Sequence, residues 1–421
     1  MSRKFISFLG AIPYEETRYF FNGDNTQLAA PTAYVQEAIF ELELNNWQPT
    51  DEVIIFTTEE AEQKNYHNRI TRSLGELEGQ GLEKILYQLS KQGRIGSYKA
   101  VYIPHGNTEE EIWAVFQTVF QHIEEGDQLF FDITYGFRSL PMLGMVLLDY
   151  ARTLRNVQIE RIYYGNYEAG RALQKPGELV LAPVLDLTPF SKLQEWTAAA
   201  KAFLNGGNAE PIAALAEQNN PEISRNLRLF APAILTCRGR QLAEDIDISS
   251  FKSIVDSSME SPIAAQLRPL LGKIQEKLSP FESKNLRNGL HAVKWCIDNG
   301  LIQQGYTFLQ ETIISLVVEK VFSRSRLTDK NFREDTGTAL NNMSPNTPNL
   351  RIKTSPAEYE IVFKFVSGKA GLSKLYKKLT GPNGLRNDIN HCGLNSTYAT
   401  PAQLSEELNT LYKAFSAIDL H

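Results

Sequence analysis

The chain has 421 residues, of which 42% are hydrophobic, and a formal net charge of −6. This length exceeds the range in which a single hydrophobic core is usual, so we expect at least two domains. The negative net charge provides no general electrostatic attraction for nucleic acid. Any contact with RNA must therefore be a local patch or a surface that is completed by dimerisation.

Cysteine usage and hydropathy indicate the compartment. The three cysteines, Cys237, Cys296 and Cys392, lie far apart and form no C-x-x-C pair, which favours reduced thiols and gives no zinc-ligand pattern. The first apolar run, residues 5–9, is too short for a signal peptide, and no later run is long enough to cross a bilayer. We predict a cytoplasmic protein with no membrane partner, no metal and no cofactor.

In the first half of the chain, short apolar runs alternate with stretches of helical periodicity. The pattern predicts strands at residues 5–9, 53–58, 99–103, 129–134, 158–164 and 179–185, and helices at 33–44, 71–91, 109–123 and 139–154. This βα alternation predicts an α/β Rossmann-like domain over residues 1–188, with a mostly parallel sheet covered on both faces.

The second half, residues 189–421, has helical periodicity and few convincing strands. We predict helices at residues 191–204, 211–218, 222–242, 261–277, 281–299, 301–322, 358–379 and 401–418. Residues 336–356 are rich in Asn, Pro, Ser and Thr, a composition that predicts a mobile loop. The sequence therefore predicts an all-α region after the α/β domain.

The most informative phrase of the first half follows the predicted strand 129–134. Asp132, Thr134, Gly136, Arg138 and Ser139 stand where a buried strand enters a tight turn and a helix. In a parallel sheet, ligands bind at the carboxyl ends of strands, and a helix start presents free N–H groups to phosphate. The alternative is a plain strand-turn-helix joint in which Asp132 or Thr134 caps the helix.

Two other strand ends would reach the same edge of a parallel sheet. Gly10, followed by Tyr14, ends the first predicted strand, and Thr57 and Thr58 end the second. Together with the Asp132 turn, these residues predict a broad polar cleft. Thr57 and Thr58 can equally be a capping pair for a helix that begins near Glu59.

Near the C-terminus, Arg386 and His391 form an R-x4-H pattern after a Gly-Pro-Asn-Gly turn. An imidazole can move the proton of a ribose 2′-hydroxyl, and a guanidinium can hold the phosphate on which charge builds. We include the adjacent Asn387 among the catalytic candidates. Glu311, inside a predicted helix, could orient Arg386 or be an ordinary salt-bridged position. Surface residues in a helical turn remain the alternative for the whole pattern.

Taken together, these motifs resemble those of the CRISPR-associated CARF-HEPN ribonucleases of type III systems. The resemblance covers both halves: the Gly10 and Tyr14 opening, the phrase from Asp132 to Ser139, and the late R-x4-H pattern. The usual phrase of that family is Asp-x-Thr-His-Gly, and here Tyr135 replaces the histidine. Gly10, Thr57, Asp132, Thr134, Gly136, Arg138 and Ser139 then fall at ligand positions, and Arg386 and His391 at catalytic ones.

The resemblance implies a homodimer or higher homo-oligomer in which the first domain binds a cyclic oligoadenylate, with cyclic tetra-adenylate favoured as activator. The HEPN domain would then cleave single-stranded RNA without a metal. Two alternatives stay open. The first domain could be a ring nuclease that degrades its own ligand, or the protein could be a nucleotide-sensing regulator that binds nucleic acid without cutting it.

Overall fold

The computed structural model describes residues 2–21, 23–44, 47–69, 80–136, 139–218, 220–247, 250–251, 263–381, 384–394 and 398–419. The chain forms two compact units, Met1–Gln194 and Glu195–His421. The division falls inside helix α7, Thr188–Gly206, which begins at the predicted domain boundary.

The first unit has eight described strands and six described helices before α7. The strands are β1 Arg3–Leu9, β2 Thr17–Phe21, β3 Asp24–Leu28, β4 Glu52–Thr57, β5 Ser97–Tyr102, β6 Gln128–Asp132, β7 Gln158–Gly165 and β8 Val180–Asp186; the helices are α1 Val35–Leu42, α2 Glu59–Ala61, α3 Leu82–Lys91, α4 Glu109–Gln121, α5 Leu140–Arg155 and α6 Tyr167–Leu173. All six predicted strands are present. The predicted helix at residues 71–91 is described only from Leu82, because residues 70–79 lie outside the described part of the chain.

The strands form one sheet in the order β3-β2-β8-β7-β6-β1-β4-β5. The five strands from β7 to β5 in this order run parallel, whereas β8 pairs antiparallel with β7 and β3 pairs antiparallel with β2. The predicted Rossmann-like, mostly parallel sheet followed by a helical region is therefore confirmed. The sequence reading missed β2 and β3, which extend the sheet beyond β8.

Helices cover both faces of the parallel strands, which explains their continuous apolar sequences. Successive side chains of a strand point to opposite faces. Phe5 of β1 packs in the core beneath α1 and α3, and its neighbour Ile6 packs in the core beneath α4 and α5. Two hydrophobic layers thus hold the sheet from both sides.

The second unit is helical in its described part. After α7, its helices are α8 Glu210–Ala216, α9 Pro221–Leu235, α10 Ala264–Leu278, α11 Asn288–Asp298, α12 Ile302–Val321, α13 Lys330–Leu340, α14 Pro356–Ser367, α15 Leu372–Thr380, α16 Leu385–Asn390 and α17 Pro401–Ser416. The fully buried Tyr306 and Leu309 lie on α12. This helix packs against α11, α13, α14, α15, α16 and α17 and so forms the centre of the unit.

Three predicted helices differ from the observed ones, and in each case a residue with a left-handed backbone lies at the difference. One helix ends earlier, one starts later and one is divided in two. Cys237 (φ 56°) follows the end of α9, Lys284 (φ 57°) precedes the start of α11, and Gly371 (φ 81°) separates α14 from α15. A left-handed residue cannot continue a right-handed helix. The predicted helices at 222–242, 281–299 and 358–379 are therefore shorter, and the last is two helices.

The prediction of a loop over residues 336–356 was wrong at its start, because Thr336 to Leu340 belong to α13. Asp335, which is buried, also fixes the far end of this segment. Its carboxylate accepts hydrogen bonds from the backbone N–H groups of Lys353 (3.0 Å) and Thr354 (2.7 Å) and from the Thr354 hydroxyl. These hydrogen bonds hold the two ends of the connection between α13 and α14 together.

Candidate functional site

The first candidate site lies at the point in the sheet where the strand order reverses. From β1 the chain builds β4 and β5 on one side and then returns to place β6 on the other side. In open α/β sheets, ligands bind at the carboxyl ends of the strands at such a switch point. Here those ends are Gly10, which follows β1, and the turn from Ile133 to Gly136, which follows β6.

Asp132 connects the two strands from inside the sheet. It is fully buried, and its carboxylate accepts hydrogen bonds from the Ser7 hydroxyl (2.7 Å) and from the backbone N–H (3.0 Å) and hydroxyl (2.5 Å) of Thr134. Gln36 of α1 donates to the Ser7 hydroxyl at 2.9 Å. Every polar partner of Asp132 is therefore a group of the domain itself, so this carboxylate shapes the edge.

Burial raises the pKa of Asp132 to about 6, although the hydrogen bonds from Thr134 and Ser7 oppose the shift. The pKa of Asp132 in the folded protein lies above the ordinary aspartate value of 3.8, so the contribution of this group to stability is complete below pH 3.8 and is lost as the pH rises through about 6. We expect the wild type to gain about 1 kcal/mol of unfolding free energy relative to Asp132→Asn between pH 7 and pH 5. Chemical denaturation of both proteins at each pH measures this difference, and an unchanged difference would contradict it.

Thr134 is half-buried and Gly136 is exposed in the turn that follows Asp132. The Thr134 hydroxyl accepts a hydrogen bond from the backbone N–H of Gly165 (2.7 Å), so the turn is tied to the end of β7. Gly136 is exposed and has a φ of 128°. A Cβ atom there would lie 2.6 Å from Cδ2 of Leu140, the first residue of α5. Only glycine fits this joint without displacing it.

Tyr14 closes the loop after β1. Its hydroxyl accepts from the Gly10 N–H (2.7 Å) and donates to the Gly10 carbonyl (3.2 Å). The Asn65 amide donates to the same carbonyl at 2.7 Å. Burial raises the pKa of Tyr14, so its hydroxyl stays protonated and keeps both bonds. Gly10 and Tyr14 thus lie at the predicted edge, where they hold the loop in place.

The other residues predicted at this edge have different environments. Thr57 is fully buried and its hydroxyl has no hydrogen-bond partner among the described residues, whereas Thr58 caps α2 by accepting from the N–H of Ala61 (3.2 Å). The capping alternative is therefore correct for Thr58. Ser139 directly precedes α5 and makes no side-chain cap. Arg138 lies outside the described residues.

A cleft of about 190 Å³ opens beside this edge. Its lining is rich in tyrosine: Tyr135 stacks on Tyr14 with ring centroids 4.1 Å apart, and Tyr164 and Tyr167 also line the cleft. Two glutamates, Glu15 and Glu168, are part of the same lining. The sequence reading treated Tyr135 only as a lost histidine and did not include Tyr164 or Tyr167. The strand ending at Gly165 was the signal for them, because it reaches the same carboxyl edge.

The second candidate site lies on α16, in the helical unit. Arg386 is in the first turn, and the helix ends at His391, which is exposed. Five residues along a helix rotate about 140° beyond a full turn, so the two side chains leave different faces. A Cβ on Gly384 would lie 2.5 Å from the Leu379 carbonyl, so the tight joint from α15 to α16 requires glycine.

Arg386 is half-buried, and its Nε has no hydrogen-bond partner within the described ranges. Burial raises the pKa of Tyr376, and the positive charge of Arg386 opposes that shift, which places the guanidinium near Tyr376. A buried guanidinium nitrogen without a partner is costly in a folded protein. The Nε of Arg386 is therefore a buried donor without an acceptor among the described residues.

Asn387 and Asp388 hold the segment in place. The Asn387 amide donates to the carbonyls of Thr380 (3.4 Å) and Gly381 (3.1 Å). Asp388, which is buried, accepts from the N–H of Ala399 (2.9 Å), beyond His391 in the chain. Asn387 was predicted to be catalytic, but the structure shows that its amide connects α16 to the end of α15.

Glu311 does not orient Arg386. Its carboxylate pairs with Arg333 of α13, with 2.7 Å between Oε2 and Nη2, which is the salt-bridged alternative. No group of three His, Cys, Asp or Glu side chains in the described part of the chain is arranged to hold a metal ion. None of the described helices is long and apolar enough to cross a membrane. The three cysteines are unpaired, as predicted.

Comparison with known proteins matches each unit separately. Residues 4–168 match the family described as the CARF domain of the CRISPR system endoribonuclease Csx1, and residues 192–284 match the second domain of the CRISPR-associated protein MJ1674. These matches support a CRISPR-associated CARF protein. The CARF match contains the switch-point edge, whereas α16 lies outside both matched ranges.

The CRISPR-associated protein MJ1674 of Methanocaldococcus jannaschii is 28% identical over 248 residues, which is 57% of this chain and 38% of that protein. The chain thus spans well under half the length of this curated relative. A solved structure, Enterococcus italicus Csm6 bound to cyclic hexa-2′-fluoro-hexa-dAMP, aligns over 98% of this chain and 94% of that chain with 12% identity and a TM-score of 0.32.

Proposed function

We propose that the protein is a CRISPR type III accessory ribonuclease that cleaves single-stranded RNA when a cyclic oligoadenylate binds its CARF domain. The observation that carries the proposal is the pairing on α16 of an arginine with a buried, unpartnered Nε and an exposed histidine. The family that matches residues 4–168 is the CARF domain of a protein described as an endoribonuclease, which supports the same activity.

In the proposed reaction, the imidazole of His391 moves a proton while the guanidinium of Arg386 stabilises the negative charge of the phosphate. The 2′-hydroxyl attacks the adjacent phosphate and the 5′-oxygen leaves, giving a 2′,3′-cyclic phosphate and a 5′-hydroxyl. Asn387 has the role of a positioning residue, because its amide is already bonded to Thr380 and Gly381. We name the helical domain a HEPN domain on this proposal.

The reaction is proposed to occur between two copies of the chain. One α16 directs its arginine and histidine to different faces, and two copies related by a symmetry axis could surround one phosphate with two of each. The CARF domain offers an apolar surface for such pairing on α5. Four exposed side chains repeat every four residues along this helix: Met142, Val146, Tyr150 and Leu154.

The cleft supports a ligand with bases and phosphates. The rings of Tyr135, Tyr164 and Tyr167 suit the stacking of adenine, and the turn from Thr134 to Gly136 leads to the start of α5, where backbone N–H groups suit phosphate. Cyclic tetra-adenylate is our preferred activator, by resemblance to the family. Titration of cyclic oligoadenylates of different ring size against RNA cleavage tests this preference.

RNA cleavage should not require a divalent metal, because the proposed proton transfer and charge stabilisation come from His391 and Arg386. We expect the rate in excess chelator to stay within about twofold of the untreated rate when cyclic oligoadenylate is present. Circular dichroism and ligand binding in the same buffer serve as controls. Loss of cleavage in a folded, ligand-bound protein would exclude the proposed mechanism.

Incubation of the protein with labelled RNA and with labelled cyclic oligoadenylate separates the two alternatives. If labelled cyclic oligoadenylate is consumed while labelled RNA stays intact, the CARF cleft is a ring nuclease. If both stay intact but RNA is retained by the protein, the helical domain is a regulator that binds nucleic acid without cutting it. Either result would replace the proposed function.

A further inference from the structure

A groove of about 590 Å³ lies between α12, α13 and α15 in the helical unit. Pockets of several hundred Å³ are the size that nucleotides and other small ligands occupy. Neither family match contains its residues, since the second match ends at residue 284 and the groove lining begins at Gln310. The groove is also distinct from the Arg386 and His391 pair, since neither residue lines it.

The groove begins next to α16. Thr380 lines one end, and its carbonyl accepts the hydrogen bond from Asn387, the neighbour of Arg386. Tyr376 lines the same wall and lies within the influence of the Arg386 charge. The groove therefore adjoins the helix that carries Arg386.

The lining carries neutral hydrogen-bonding groups of the kind that read base and ribose edges. These are the hydroxyls of Thr328, Thr338 and Thr380 and the amides of Gln310 and Asn341. The Thr338 and Thr380 hydroxyls and the Asn341 amide already donate to carbonyls of the protein, so these groups offer their oxygen atoms as acceptors. The Gln310 Oε1 is buried without a hydrogen-bond partner in the described part of the chain. Single-stranded RNA is recognised through hydrogen bonds to exposed bases and through the 2′-hydroxyl, which is the chemistry this lining offers.

The charged residues that line the groove are Lys330, Arg333, Glu311 and Glu334, so its formal charges balance. Lys330 is 86% exposed and lies 3.8 Å from Glu334, which pairs more closely with Lys353. One carboxylate thus faces two ammonium groups, while Arg333 and Glu311 neutralise each other. Lys330 is therefore the lining cation with the weakest ion pair, and its exposed ammonium is a local contact for a phosphate in a chain with a net charge of −6.

We propose that this groove binds a nucleotide of the single-stranded RNA, adjacent to the scissile phosphate, with its base and ribose among the threonine and amide side chains and its phosphate at Lys330. This inference rests on the proposed ribonuclease function and adds the place where the substrate strand continues.

The test measures binding without cleavage. A fluorescent 2′-fluoro RNA oligonucleotide lacks the 2′-hydroxyl nucleophile but keeps a small electronegative group at the 2′ position, so its anisotropy reports affinity for the full chain even if the protein does not cut RNA. We expect Lys330→Glu to raise Kd about fivefold or more and to reduce the slope of log K against log salt by about 0.7, the value for one phosphate contact on a single strand.

Lys364→Glu is the matched control. Lys364 is also an exposed lysine of the helical unit, and it pairs with a glutamate one turn away, Glu360, at 3.3 Å. We expect this variant to bind the oligonucleotide like the wild type. Equal weakening by both substitutions would show a diffuse charge effect and overturn the groove assignment, as would wild-type affinity in Lys330→Glu.

A crosslinking experiment locates the strand independently. An oligonucleotide with 4-thiouridine beside a single cleavable position should crosslink to peptides of α13 or α15, and crosslinks confined to other helices would overturn the proposal. If the crosslinks and the effect of Lys330→Glu are found but no RNA is cleaved, the groove assignment stands and the proposed catalysis fails. The two proposals can therefore be judged separately.

Discussion

Replacement of His391 by alanine is expected to reduce RNA cleavage by about a thousandfold while messenger binding is unchanged. General acid–base groups contribute between about 10² and 10⁴ to reaction rates, and no second described histidine lies on α16. The residue is exposed and ends a six-residue helix, so its truncation removes no core packing. Single-turnover cleavage of a labelled RNA with saturating cyclic oligoadenylate measures the loss, and equilibrium binding of the labelled messenger measures the unchanged function.

Asn390→Ala is the control for this variant, because Asn390 is the preceding residue and is also exposed. We expect it to cleave RNA within about twofold of the wild-type rate. If His391→Ala retained a comparable rate, the catalytic group would lie elsewhere. If both variants lost activity equally, the effect would come from the shape of the segment and not from the imidazole.

Gly136→Val is expected to raise the messenger concentration required for activation at least about tenfold, which corresponds to about 1.4 kcal/mol. Valine at a φ of 128° is strained, and its Cβ would lie 2.6 Å from Leu140 Cδ2, so the joint between the β6 turn and α5 must move. Cleavage at saturating messenger should survive, because α16 is in the other unit.

The control is Gly126→Val in the same domain. Gly126 has a φ of 74° and lies just before β6, at the opposite end of the strand from Gly136. Gly126 also has a positive φ, and its replacement should leave the activation constant unchanged. Titration of cyclic tri-, tetra- and hexa-adenylate against RNA cleavage by the wild type, Gly126→Val and Gly136→Val identifies the activator. Equal activation of all three proteins would remove Gly136 from the messenger site.

The sequence predicted those parts of the fold that local periodicity determines. All six strands it indicated are present, because each carries its own apolar run. It missed β2, whose alternation of the buried Thr17 and Tyr19 is short and whose partner, β8, is more than 150 residues away. Long-range pairing of this kind leaves little trace in a local window.

Helix α13 shows the same limit in the helical unit. Its sequence contains Gly337 and two threonines, which have low helix propensity, so the pattern favoured a loop. Asp329 caps the helix through the N–H groups of Asn331 and Phe332, and Phe332 and Leu340 are buried. Tertiary packing therefore overrides propensity. With α13 missing from the prediction, Arg333 could not be foreseen as the partner of Glu311.

For the first candidate site, the sequence indicated that Gly10 and the turn after Asp132 lie at one edge of the sheet, but it could not predict the contacts of these residues. It identified the turn after β6, yet the burial of Asp132 depends on Ser7 and Gln36, which are far away in the chain. Similarly, the bonds of Asn387 to Thr380 and Gly381 follow from the tight joint that Gly384 permits.

The internal bonding of Asp132 affects how related sequences should be compared. Because its carboxylate holds β1 and the β6 turn together, we expect the Asp-x-Thr pair to be kept even in a homologue that does not bind the proposed messenger. A motif search based on this pair would recover members of the fold whether or not they still respond to a messenger. The side chains that face the cleft, such as Tyr135 and Tyr167, are the positions whose divergence would separate responsive from unresponsive members.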